Sequence, residues 1–224
     1  MFLRLGMVVP LIAAFCLIAP ASQAAPLVGT VLTSPSATVF PGLIAPGTPA
    51  GTLLASLIAP YSFATTAGTT SGTLTSAVYR NSTGTLDFYY QVANSANSAT
   101  AIARETDTSF AGFTTWTGFR VDAVGPFVAG TVAPVTADRN GAGTVVGFSF
   151  NPPDSSKILA GLTSNTLVIS TDATGFTVGN AAVIDGGTQT VSAFQPTGVP
   201  EPATTLLIGG GLVAVAFLRR RKRA

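Results

Sequence analysis

The sequence predicts an all-β protein: an antiparallel two-sheet sandwich flanked by an N-terminal signal helix and a C-terminal transmembrane helix. Three observations carry this expectation. About ten short apolar runs recur at roughly 8–15-residue spacing between turn residues. A 3.6-residue periodicity is nearly absent from the body, which disfavours amphipathic helices. Thr, Ser, Val and Phe dominate the runs, and such side chains suit a pleated, half-buried surface.

The elements follow in order. Residues 1–24 have the pattern of a secretory signal peptide. Arg4 supplies the positive end, residues 5–19 are apolar, and Pro20 ends the helix. Ser22 and Ala24 place small residues before a cleavage point between Ala24 and Ala25. Residues 25–51 form a lead rich in Pro, Gly and Thr, with one short strand near 37–40. The sandwich is expected over residues 52–194. Runs 53–59 and 61–64 are apolar. Run 72–80 alternates around Leu74 and Val78, turns at residues 81–84, and returns as 86–93, the pattern of a hairpin. A polar connector spans 94–99, and 101–106 is a strand with Ile102 inward. Phe110, Phe113 and Trp116 surround a turn before strand 116–121, and 127–132 follows Gly125 and Pro126.

Asp138, Arg139, Asn140 and Gly141 form a turn signal. Run 144–150 then alternates, with Val146, Phe148 and Phe150 on one face, until Pro152 and Pro153 break it. Residues 167–171 read as a short buried strand. Runs 175–178 and 181–184 straddle Gly179 and Asn180, and residues 185–187 turn into 190–194. Jelly-roll-like and Ig-like arrangements both fit. No cysteine pair brackets Trp116, which counts against a true immunoglobulin pattern. No fixed-period repeat points to a solenoid or propeller.

Residues 195–202 are a linker that ends in Val199, Pro200, Glu201 and Pro202. Each proline removes a backbone donor and pushes the preceding residue toward extended geometry. Residues 203–218 are apolar and, as a helix, about 24 Å long. That is short against a hydrocarbon core of about 30 Å. The long basic stems that follow can make up the difference by snorkelling. Arg219, Arg220, Arg221, Lys222 and Arg223 form the basic tail of residues 219–224 and belong on the cytoplasmic side. A chain so built is expected to be exported by the Sec route and stopped in the inner membrane, with its body on the far side.

A Val-Pro-Glu-Pro head, an apolar span and an arginine-rich end, in that order at a C-terminus, resemble the PEP-CTERM sorting signal of Gram-negative bacteria. The resemblance covers residues 199–224. It implies recognition by an exosortase, a membrane processing enzyme of cells that make exopolysaccharide, with Glu201 and its flanking prolines as the recognised element. Segments of the body also resemble the uncharacterised β-rich ectodomains attached to this signal, which implies no particular activity.

Charge excludes some partners. Arg4 and the tail hold six of the eleven basic residues. The body keeps five basic residues against eight acidic ones once Glu201 is set aside, a net charge of −3. That is no footprint for nucleic acid. The chain has no histidine, and its one cysteine, Cys16, lies in the signal segment. Neither a Ser-His-Asp or Cys-His arrangement nor a usual zinc set can be built, and no cofactor is expected.

Carboxylates remain. Glu105 and Asp107 are two apart, so a strand places them on one face. They fit a Ca²⁺ site or a glycosidase pair, or a solvated strand edge paired with Arg104 or Arg120. Turn chemistry accounts for Asp138 and Asn140 beside Gly141 more simply than calcium does, and Asp185 with Gly186 reads as a hairpin turn. Trp116 is the best candidate for stacking on a sugar ring. Two functions compete: a structural or adhesive surface protein in an exopolysaccharide context, without enzymatic activity, and a secreted carbohydrate-active enzyme using Glu105 with Asp107, Asp87 or Asp122. The first is favoured because no paired acids stand in a recognisable setting.

Overall fold

The computed structural model describes residues 30–32 and 38–198. The signal segment with Ala24 and Ala25, the Val199–Pro202 head, the apolar run and the basic tail lie outside the described residues. Among those described, no helix is long and apolar enough to cross a membrane.

Thirteen strands are present among the described residues: β1 (Thr30–Leu32), β2 (Thr38–Val39), β3 (Gly42–Leu43), β4 (Thr52–Thr65), β5 (Gly68–Arg80), β6 (Leu86–Asn94), β7 (Arg104–Thr108), β8 (Thr115–Arg120), β9 (Thr136–Arg139), β10 (Val145–Ser149), β11 (Thr166–Thr171), β12 (Gly175–Ile184) and β13 (Thr188–Thr197). They form two sheets. The first runs β1-β8-β11-β6-β5-β4, with β3 parallel to β8. The second runs β13-β12-β7-β10-β9-β2. Every other pairing between the strands is antiparallel.

Alternation builds the main core. Leu74 and Val78 of β5, Phe88, Tyr90 and Val92 of β6, and Leu167 and Ile169 of β11 project from the first sheet. Val146 and Phe148 of β10, with Ala181 and Val183 of β12, project from the second. Apolar surface taken from water between two such faces is the main favourable term in folding, at about 25 cal/mol per Å². The hairpin expected at 72–93 and the inward face Val146, Phe148 and Phe150 are both present.

The central strands of the first sheet are partly covered on their outer face as well. Ala77, Tyr79, Tyr89 and Val168 have the opposite parity to the inward set, and with Ile44, Ala50 and Phe127 they form a second cluster. The Tyr79 and Tyr89 rings lie 4.6 Å apart, and Phe127 is 6.0 Å from Tyr89. The covering segments approach closely. Gly125, at φ +54°, leaves no room for a Cβ beside the Tyr79 hydroxyl, and Gly51, at φ +91°, lies against the Arg80 carbonyl.

Several elements differ from the sequence expectation. Runs 53–59 and 61–64 are one strand, β4, which passes through Pro60. β4 is the edge of its sheet, where a missing N–H is tolerated. Gly179 and Asn180 are not a turn; β12 is continuous, and the Gln195 side chain fills the space beside Gly179. Residues 127–132 are not a strand. Gln91 holds them instead: its Nε2 donates to the Val128 carbonyl, and its Oε1 accepts from the Val128 N–H. The short strand expected near 37–40 is present as β2; residues 42–43, also within the lead, add β3, and residues 195–197, within the expected linker, continue β13.

Candidate functional site

The acid pair at 105 and 107 shares one face of β7, as the spacing requires, but that face is the inner one. β7 lies between β12 and β10. Glu105 sits opposite Val183 and Phe148, and Asp107 opposite Ala181 and Val146. Their exposures are 0% and 1%. The solvated strand edge is therefore corrected: alternation places Arg104, Thr106 and Thr108 outward, and the acids inward. The ion-pair assignment is corrected too. Arg104 makes a two-pronged bond to Asp138 through Nη1 (2.6 Å) and Nη2 (2.7 Å) on the outer face, and Arg120 belongs to the other sheet.

The two carboxyls face each other, and no other described group hydrogen-bonds any of their four oxygens. Burial pushes both well above the usual carboxylate range, because an unpaired charge among apolar side chains loses its hydration. The negative charge of Glu105 raises Asp107 further. Both carboxyls are enclosed between the packed sheets. Among the described residues no group of three or more His, Cys, Asp or Glu could hold a metal.

The remaining carboxylates are committed separately. Asp138 is taken by Arg104. Asn140 builds the β9–β10 turn: its Oδ1 accepts from the Thr144 N–H (2.8 Å) and the Val145 N–H (3.0 Å). Asp87 is buried on the outer face of the first sheet, accepting from Ser170 Oγ and from Asn81 Nδ2 at 3.1 Å. Burial pushes it up to about 6, against those two donors. Asp122 accepts from Arg120 Nε (3.1 Å) and Nη2 (2.9 Å) and from the Gly47 N–H (3.0 Å). The Arg120 bonds hold its carboxyl down at about 2. Asp185 pairs with Lys157 at 3.1 Å.

Trp116 is half-buried on β8. Its cross-strand partner is Ser170, whose own partner is Asp87, followed by Tyr79. All four therefore lie in one row on the outer face of the first sheet. A surface pocket of ≈ 580 Å³ lies elsewhere, lined by Thr131, Val132, Ser155, Ser156, Lys157 and Leu159, among others. Sequence reasoning did not find it, because its walls come from two loops with no shared pattern.

No curated protein and no solved structure matches the chain. A family model does match: residues 198–222 fit the PEP-CTERM protein-sorting motif. That motif supports export targeted to an exosortase, with a membrane-held C-terminal signal, in a Gram-negative cell. The match begins one residue after β13 ends at Thr197. The chain thus carries a PEP-CTERM sorting motif behind a β-rich ectodomain.

Proposed function

We propose that this is a non-catalytic surface or matrix protein, structural or adhesive in an exopolysaccharide context, with the sandwich as cargo and the tail as its address. The observation that carries the proposal is the sorting motif at residues 198–222. An N-terminal signal helix sends the chain outward, and a membrane helix at 203–218 holds it while Val199, Pro200, Glu201 and Pro202 are read. Support for a non-catalytic body comes from the carboxylates. Glu105 and Asp107 are enclosed in the core, and Asp87, Asp122 and Asp138 are each bound by neighbouring side chains. Trp116 is the proposed sugar contact, since it is half-buried on a sheet face among polar neighbours.

The mass of the C-terminal peptide, measured on protein recovered from its own cells, tests the address. Loss of the basic tail in wild type and its retention in Glu201→Ala are expected; an intact tail in wild type refutes the reading. Binding of the host exopolysaccharide tests the cargo. Trp116→Ala is expected to weaken it by about tenfold, the scale of one lost aromatic contact. Equal binding by both forms removes Trp116 from the proposal.

A further inference from the structure

The inter-sheet core contains an arrangement that neither packing nor sorting uses. Cores are built from apolar groups or from polar groups with partners. Glu105 and Asp107 break that rule with two adjacent carboxyls, at 0% and 1% exposure, whose oxygens find no donor outside the pair. Hydrophobic side chains enclose them within the sheet: Val146 and Phe148 on β10, Ala181 and Val183 on β12. From the facing sheet comes Tyr90, a phenol whose hydroxyl is already given to the Phe194 carbonyl at 2.6 Å. Tyr61 of β4, also in this core, donates to the Ala93 carbonyl.

Among the described residues no cation bonds the pair's oxygens, and Arg104 lowers Glu105 only through space. Arg104 is on the other face of β7 with Asp138. Arg139 shares the inner face, in the row Asp107, Val146, Arg139. Its guanidinium is spent on the Gly143 and Phe110 carbonyls and on Thr115 Oγ1. A carboxylic acid carries one O–H donor and a carboxylate none. With protons bound, the two groups satisfy each other. With both lost, two negative charges face one another without water, which an interior does not sustain.

We propose that Glu105 and Asp107 are a proton-gated clamp on the inner face of β7, keeping the core between the sheets packed while the pair is protonated and loosening it when the pair ionises. The acids of the unfolded chain titrate near pH 4, and the buried pair titrates higher. Folding therefore takes up protons above about pH 4, and stability falls as pH rises from there toward neutrality and beyond. Each proton held changes the folding equilibrium about tenfold per pH unit. An acidic surrounding closes the sandwich, and a neutral to alkaline one leaves it easier to unfold. The clamp is independent of how the tail is processed.

The test is chemical denaturation of the full-length chain in detergent micelles, followed by the fluorescence of Trp116, from about pH 4 to about pH 9. The wild-type midpoint is expected to fall steadily with pH. The double variant Glu105→Gln, Asp107→Asn keeps size and hydrogen-bonding capacity without the titration. Its midpoint is expected to lose most of that slope and to exceed wild type at the alkaline end. A wild-type midpoint indifferent to pH, or a variant with an unchanged slope, overturns the proposal. Infrared spectroscopy of the wild type needs no variant. A protonated-carboxyl band persisting at neutral pH is expected, and its absence overturns the proposal as well.

Discussion

Two acid sites, one enclosed between the sheets and one partly exposed on the outer face of the first sheet, are treated oppositely by the fold. Between the sheets, Glu105 and Asp107 have only each other, and their carboxyls are pushed up. On the outer face of the first sheet, Asp122 meets Arg120 and the Gly47 N–H, and its carboxyl is held down. Burial and the donors that reach an acid decide its protonation together: Asp87, buried with two donors, is still pushed up to about 6. The chief donor to Asp122 is the Arg120 side chain at the end of β8, and the 44–50 loop adds the Gly47 N–H. A central strand pairs its own backbone groups in the ladder and has none to offer.

The largest effect that would sharpen this contrast is Phe148→Ala. It opens a cavity beside Glu105 and is expected to cost about 3–5 kcal/mol in denaturant melts. It also admits water to the carboxyl, so the slope of stability with pH should shrink. Next comes Arg120→Met, which strips Asp122 of its cation. About 1–3 kcal/mol is expected, less than for a fully enclosed pair because Asp122 is 24% exposed and water replaces part of the loss. The pH signature is opposite to that of the core pair. A carboxyl held at about 2 contributes stability above its ordinary value near pH 4, and that contribution is lost as pH falls toward 2. Arg120→Met should remove this acid limb and leave the alkaline decline untouched. Were both limbs to move together, the two sites would not be independent.

Tyr90→Phe should cost about 1–2 kcal/mol, since the Phe194 carbonyl loses its cross-sheet donor. Asp87→Asn is the smallest. Asp87 is raised to about 6, so it stabilises the fold at low pH and less as pH rises through 6. The amide retains an acceptor for Ser170 and does not titrate. A gain of about 1 kcal/mol at neutral pH is expected from the same melts.

Local chemistry was legible in the sequence wherever it acted locally. Asn140 with Gly141 announced the β9–β10 turn, and alternation at 144–150 announced an inward face. Pro60 and Gly179 misled, because a breaker residue is read without knowing its neighbours. Pro60 costs little on an edge, and Gly179 is the space that the Gln195 side chain occupies. The acid pair was recognisable as a pair, but its face was not. Arg104 to Thr108 is polar on both parities, and the residues that enclose it, Phe148 and Val183, lie far along the chain. The second cluster was present as the unbroken run Phe88, Tyr89 and Tyr90, which has aromatic side chains for two faces.

The sandwich ends at Thr197, and the apolar run starts at Ala203. Five residues intervene, a tether that reaches at most about 18 Å when fully stretched. On the proposed reading, in which residues 203–218 are held in the membrane, cargo on so short a leash rides close to the lipid surface, and an enzyme that severs the leash has to fit into that gap. Lengthening the tether with a few inert residues is the way to learn whether this crowding sets the pace of release.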